Sequence, residues 1–131
     1  MFKKLFLFFI TTMLVNLTFA HTIRCPTVSE IKNHQFNHWL PLYKENEELA
    51  MPNDVAQFQK NVAHVFVAKW DPKYLESAHC FYEGTDPMVN KIVFAQDAWR
   101  PARSSPKWIW IIEDKLAECV SSDPEECYFT T

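Results

Sequence analysis

Glycine is almost missing from this chain. Gly84 is the only one among 131 residues. A glycine-rich loop that cradles phosphate is therefore excluded, and with it the common nucleotide-binding motifs. Turns must be made by Pro, Asn and Asp instead. Basic residues are also in deficit, with 13 Lys and Arg against 16 Asp and Glu. That balance lacks the basic footprint a nucleic-acid partner needs. No two cysteines stand at the short spacing of a zinc site. No serine sits in a strand-turn-helix elbow motif. The carboxylate pairs Glu113-Asp114 and Glu125-Glu126 are neighbours in sequence. They read as solvated turns rather than as acids facing each other across a cleft.

One long apolar run is present, at the start. Lys3 and Lys4 precede an almost wholly apolar stretch from Leu5 to Leu17, and Thr18-Phe19-Ala20 follows. A charged start, a short apolar core and small residues at the cut describe a secretory signal peptide over 1–20. The run is too short to hold a bilayer as a membrane helix. The expected product is a single exported domain over 21–131, beginning at His21, not membrane-spanning after processing and periplasmic in location. The two leader lysines go with the leader, so the mature domain is more acidic than the whole chain's net charge of −3.

Export changes the reading of the four cysteines, Cys25, Cys80, Cys119 and Cys127. In an oxidising compartment an even set reads as disulfides, and four cysteines allow three pairings. Ser121-Ser122-Asp123-Pro124 is turn chemistry that favours Cys119 with Cys127. Cys25 with Cys80 would then tie the N-terminal segment to the central strands. Sequence alone does not choose among the three.

Along the mature chain, Thr27-Val28-Ser29-Glu30 after Pro26 forms a capping box, and the spacing predicts a short helix from Thr27 to about Asn33. Gln35 to Tyr43 reads as an extended edge segment and Lys44 to Asp54 as an exposed connection. Asn61 to Trp70 is the clearest strand, with Val62, His64, Phe66, Ala68 and Trp70 on one face and Ala63, Val65 and Val67 on the other. Apolar residues on both faces predict a central strand. Further strands are expected over Ser77–Glu83, Met88–Gln96 and Trp108–Ile112, and a helical turn over Asp114–Cys119. Short turns between neighbours favour an antiparallel meander. The expected fold is α+β: a short N-terminal helix packed on an antiparallel sheet of four or five strands, stabilised by disulfides. One such helix cannot cover all the apolar sheet surface. The remainder predicts a partner or a second copy of the chain.

Candidate chemistry is sparse. A new N-terminal His21 could chelate copper with His34, His38, His64 or His79, but no spacing fixes the second ligand. His34 and His38 are four apart, a zinc-compatible step on a helix, with no acidic partner between them. His64 and His79 lie on neighbouring expected strands and could face one another. Oxidised cysteines offer no thiolate. The reading is therefore of a non-enzymatic protein with no catalytic residues, no cofactor and no metal ligands. Trp99, beside Arg100, Arg103 and Lys107, forms the basic cluster of an otherwise acidic domain, an arrangement typical of an interface anchor. The alternative is a small-ligand or glycan-binding module using surface Trp and Tyr side chains.

The segments Cys25-Pro26-Thr27-Val28-Ser29-Glu30-Ile31 and Ala78-His79-Cys80-Phe81-Tyr82, then Trp108, and Cys119 with Asp123-Pro124 and Cys127-Tyr128-Phe129 resemble a family of small exported bacterial domains of unknown function. Its members occur in intracellular gamma-proteobacterial pathogens. The resemblance implies a periplasmic, homodimeric, non-enzymatic protein. It also implies that the protein supports type IV (Dot/Icm) secretion, and so replication inside host cells, by binding a secretion-apparatus or envelope protein.

Overall fold

The computed structural model describes residues 21–131; the expected leader over 1–20 lies outside the described residues. The strands are β1 (Thr22–Ile23), β2 (Leu40–Tyr43), β3 (Val62–Trp70), β4 (Ala78–Gly84), β5 (Ile92–Gln96), β6 (Arg100–Pro101), β7 (Ile109–Ile112), β8 (Leu116–Val120) and β9 (Phe129–Thr130). The helices are α1 (Val28–Lys32) and α2 (Pro52–Asn61). Single 3₁₀ turns occupy Pro87–Asn90 and Pro124–Glu126. The strands form a six-stranded antiparallel sheet in the order β2-β5-β4-β3-β8-β7 and a small three-stranded one in the order β1-β9-β6. The class is mixed α and β, with β dominant.

Three expectations are corrected. The large sheet has six strands rather than four or five. Leu116–Val120 is a strand, not a helical turn, because Asp114 takes a left-handed conformation (φ 58°) and turns the chain straight back onto β7. The main helix over the sheet is α2, whose first three residues lie inside the segment read as an exposed connection. Pro52 opens it where no amide partner is needed, and Val55 and Phe58, one turn apart, are its buried side chains.

α1 begins at the capping box. The Glu30 amide donates to Thr27 Oγ1 at 3.1 Å, and the Thr27 amide donates to Glu30 Oε1 at 2.9 Å. Burial pushes the Glu30 carboxyl up, but the Arg24 guanidinium at 2.7 Å and the Thr27 donors more than offset it, leaving its pKa below the usual carboxylate range. Cys25, just before the cap, is joined to Cys80 in β4. The Tyr82 hydroxyl donates to the Pro26 carbonyl at 2.6 Å beside that bridge. The second disulfide, Cys119–Cys127, closes the turn that links β8 to the small sheet.

The core lies between the sheet and the helices. Phe58 meets Tyr82 and Phe94 with ring centroids 5.7 and 5.5 Å apart, and Phe36 meets Phe94 at 5.0 Å. Trp39 and Trp70 are buried, and the Trp70 indole N–H donates to the Ala98 carbonyl at 3.0 Å. Register shifts within β3 bring Val65 opposite Tyr82, on the side of Ala68 and Trp70, while Val67 stands opposite Phe81. The alternation read from sequence therefore holds for Val62, Ala68 and Trp70, whereas Val65 joins their face and His64 and Phe66, read as part of it, are exposed.

The lone glycine has a specific task. At Gly84 a Cβ would collide with the Asn61 carbonyl oxygen and with Val89, so the end of β4 passes too close to α2 for any side chain. Left-handed backbone falls instead on His34, Asn37, His38, Glu47 and Asp114. Turn formation without glycine thus costs strain at non-glycine residues.

Candidate functional site

The helices cover one face of the six-stranded sheet. The opposite face holds a second, thinner apolar cluster: Leu42 from β2 with Val93 and Ala95 from β5, and Phe81 from β4 against them. Pairing register extends this face outward. Val67 stands opposite Phe81 and Val120, Lys69 opposite His79 and Glu118, and Glu118 opposite Ile109. Its centre is buried, with Leu42, Val67, Val93 and Ala95 at most 6% exposed and residues of the turns after β2 and β3 lining the groove over it, while Leu40, Ile109, Ile112 and Val120 at its two sides are exposed.

Phe81 is the centre of that face. The ammonium groups of Lys44 and Lys69 each lie 5.1 Å from its ring centroid, a double cation–π arrangement. Lys69 also pairs with Glu118 at 3.4 Å, whereas Lys44 has no carboxylate in ion-pair range among the described residues. Burial against the aromatic ring lowers the Lys44 pKa, and the neighbouring Lys69 charge lowers it further. His79 sits beside them, with Tyr74 edge-on at 5.6 Å and Phe81 at 6.4 Å. Its burial lowers its pKa, against the opposing pull of Glu47, Asp71, Glu76 and the Ser77 backbone. These side chains, with Leu116 and Val93, line a groove of about 340 Å³. It offers an apolar floor with charge of both signs at its rim, Glu47, Asp71 and Glu118 beside Lys44 and Lys69, and Lys44 is in ion-pair range of no carboxylate among the described residues.

The expected interface cluster is dispersed. Trp99 is 71% exposed at one corner, where it shares a groove of about 550 Å³ with Tyr74 and Leu75. Leu75 is itself 83% exposed. Arg100 turns to Asp114 at 3.2 Å and Lys107 to Glu126 at 2.9 Å. Arg103 lines a separate groove beside Trp108 and Trp110. Two of the three cations near Trp99 are therefore occupied within the chain. The other tryptophans are buried or half-buried. Trp108 donates its indole N–H to the Tyr128 carbonyl at 2.8 Å, and Trp110 stacks edge-on against Trp70 at 5.7 Å.

The histidines do not converge. His64 pairs with Glu83 at 3.0 Å, and His79 lies opposite Lys69, so the two do not face one another as their adjacent strands had suggested. His34 contacts Gln59 at 3.1 Å, and His21 is held at the small sheet, its backbone N–H bonded to Thr131 Oγ1 at 3.2 Å. Among the described residues no three His, Cys, Asp or Glu side chains gather as a metal site. All four cysteines are in disulfides, which suits an oxidising compartment. No described helix is long and apolar enough to cross a membrane.

Sequence reasoning misses Lys44, Lys69, Tyr74 and Phe81 as a group. They come from β3, β4, the turn after β2 and the turn after β3, so only the strand register brings them together.

Compared with known protein families, curated proteins and solved structures, the chain matches none.

Proposed function

We propose that this chain is an extracytoplasmic docking domain. It holds the open face of its six-stranded sheet toward an envelope protein of a type IV secretion apparatus. The observation that carries this reading is the groove at Phe81, floored by a small apolar cluster and bordered by exposed Leu40, Ile109, Ile112 and Val120, with Lys44 at its rim lacking an ion-pair partner among the described residues. Exposed apolar surface on a domain of this size is costly to keep unless something covers it. The Lys44 ammonium gives that partner a second requirement, an acidic side chain set among apolar ones. Two disulfides suit the compartment in which such a partner would stand. The identity of the apparatus rests on the resemblance alone: the quoted segments resemble the small exported family and, within it, look like EirA, the periplasmic protein associated with Dot/Icm secretion. The role is non-enzymatic.

The test is effector translocation into host cells. Deleting the gene should abolish translocation while leaving the envelope intact, and the unaltered chain should restore it. Leu40→Glu and Lys44→Glu alter exposed side chains at the margin of the face. Both variants should accumulate as folded, disulfide-bonded protein and fail to restore translocation. Normal translocation in the deletion strain would remove the secretion role; full rescue by both variants would remove the docking face.

A second reading has an observation of its own. Trp99 and Tyr74 line one exposed groove, a geometry that can stack on a sugar ring. Titrating the protein with cell-wall fragments while following tryptophan fluorescence checks it. A saturable change that Trp99→Ala abolishes would support glycan binding, and a flat titration would exclude it for those fragments.

A further inference from the structure

The charges at the rim of the Phe81 groove are of two kinds. Lys69 and Glu118 satisfy each other at 3.4 Å. Lys44, Glu47 and Asp71 have no ion-pair partner among the described residues. Those three do not gather in one place. The Glu47 and Asp71 charges act on the His79 ring, whereas the charge that acts on Lys44 is that of Lys69. The turn after β2 supplies both ends of the groove, with Lys44 reaching over Phe81 and Glu47 lying toward His79. The Lys73 amide donates to Asp71 Oδ1 at 3.1 Å and fixes that carboxylate in the turn after β3. Phe81, Val93 and Leu116 give the groove its apolar lining. Its volume, about 340 Å³, lies at the small end of the range for clefts that hold small ligands.

Complementarity asks for an anion at Lys44, a cation at Glu47 and Asp71, and apolar surface against the floor. The separation of the two ends adds a requirement of length. The Lys44 ammonium is 5.1 Å from the Phe81 ring centroid, and the His79 ring is 6.4 Å from it. A free amino acid carries its ammonium and carboxylate on one carbon, too close together to reach both ends. Two or three extended residues, at about 3.5 Å each, span the interval. We infer that the groove is a binding site for a short free peptide of two or three residues. Its terminal carboxylate lies at Lys44, an apolar side chain rests on Phe81, and its terminal ammonium lies at Glu47 and Asp71. This deepens the docking reading and rests on the same groove, while needing no secretion apparatus. A bound peptide occupies Lys44, so it competes with a docking partner for that ammonium.

The experiment is calorimetric titration of the whole chain, expressed with its own leader and recovered after export. The probes are the tripeptide alanyl-leucyl-alanine, its C-terminal amide and its N-acetyl form. The free tripeptide should saturate the protein one to one. Each blocked form should bind about tenfold more weakly, because each loses one charge-assisted contact. Lys44→Met should bind the free tripeptide and its amide equally, yet still discriminate against the N-acetyl form. Glu47→Gln with Asp71→Asn should show the opposite selectivity. A variant that is merely loosened would weaken all three probes alike. Circular dichroism and a count of free thiols confirm that the variants are folded. No saturable heat from millimolar tripeptide would overturn the site, and so would equal binding of the free and blocked forms by the wild type. Selectivities exchanged between the two variants would overturn the orientation. A flat titration removes the peptide and leaves docking standing; rescue of translocation by both Leu40→Glu and Lys44→Glu removes docking and leaves the titration result unchanged.

Discussion

On one face of the six-stranded sheet, Phe94 touches three other rings beneath α2 and is wholly buried. On the other face, Phe81 meets His79 and two lysine ammonium groups. The two phenylalanines come from neighbouring strands and differ in what surrounds them rather than in what they are. The covered face gains its stability from closely fitted aromatic rings; the open face keeps a smaller apolar cluster and borders it with long, amphipathic side chains. The division implies that the face under the helices contributes most to holding the fold together, and the proposed docking role falls to the other. Substitution separates the two most sharply. Phe94→Ala should cost about 3–5 kcal/mol in urea unfolding, the range for deleting a buried aromatic ring. Leu40→Ala, on the open face, should stay within about 0.5 kcal/mol. Equal losses at both positions would show that the open face is a second core.

The two disulfides extend the comparison along the chain. Cys25–Cys80 spans 55 residues and anchors α1 to the covered side of the sheet, whereas Cys119–Cys127 spans 8 and closes a local turn. In the chain-entropy account the longer loop contributes about 4 kcal/mol and the shorter about 2.5. Replacing both cysteines of each pair with alanine in turn, and unfolding the products in urea, should show the larger loss at Cys25–Cys80. The reverse order would mean that the turn before β9 contributes more to the fold than its length implies.

Much of this contrast is legible in the amino-acid sequence, and the boundary of what is legible has physical causes. The capping box at Thr27 and Glu30 is local chemistry and can be read directly. The turn-forming residues between Cys119 and Cys127 favour that pair without deciding among the three pairings, and the structure has Cys119–Cys127 with Cys25–Cys80. α2 escapes notice because Val55 and Phe58 are its only buried apolar side chains, too few to mark a helical period against a polar background. β8 escapes because Asp114 adopts a left-handed turn that sequence alone does not require of an aspartate. Phe81, Lys44, Lys69 and Tyr74 cannot be grouped without the register, which depends on irregularities inside β3. The cluster around Trp99 is divided for a related reason: neighbours in sequence can point apart, and here Arg100 and Lys107 pair with carboxylates elsewhere in the fold.

The finest test of the open face is its response to acid, read at His79. Its burial between Tyr74 and Phe81 lowers its pKa, although Glu47, Asp71, Glu76 and the Ser77 backbone pull the other way. The folded protein therefore releases this proton more readily than the unfolded chain does. The resulting stability is fully present above the ordinary histidine value of about 6.5 and is lost as pH falls through the lower, folded value. Unfolding free energies of the wild type and His79→Phe, measured side by side from pH 7.5 to 5, isolate the contribution, because groups common to both proteins cancel in the difference. The wild type should lose ground to the variant steadily as the solution is acidified. If the difference stays flat, His79 is as well hydrated as an ordinary surface histidine, and the groove around Phe81 is wetter and less enclosed than its geometry implies. If the difference runs the other way, the surrounding carboxylates outweigh burial, and the open face is a site that acid strengthens.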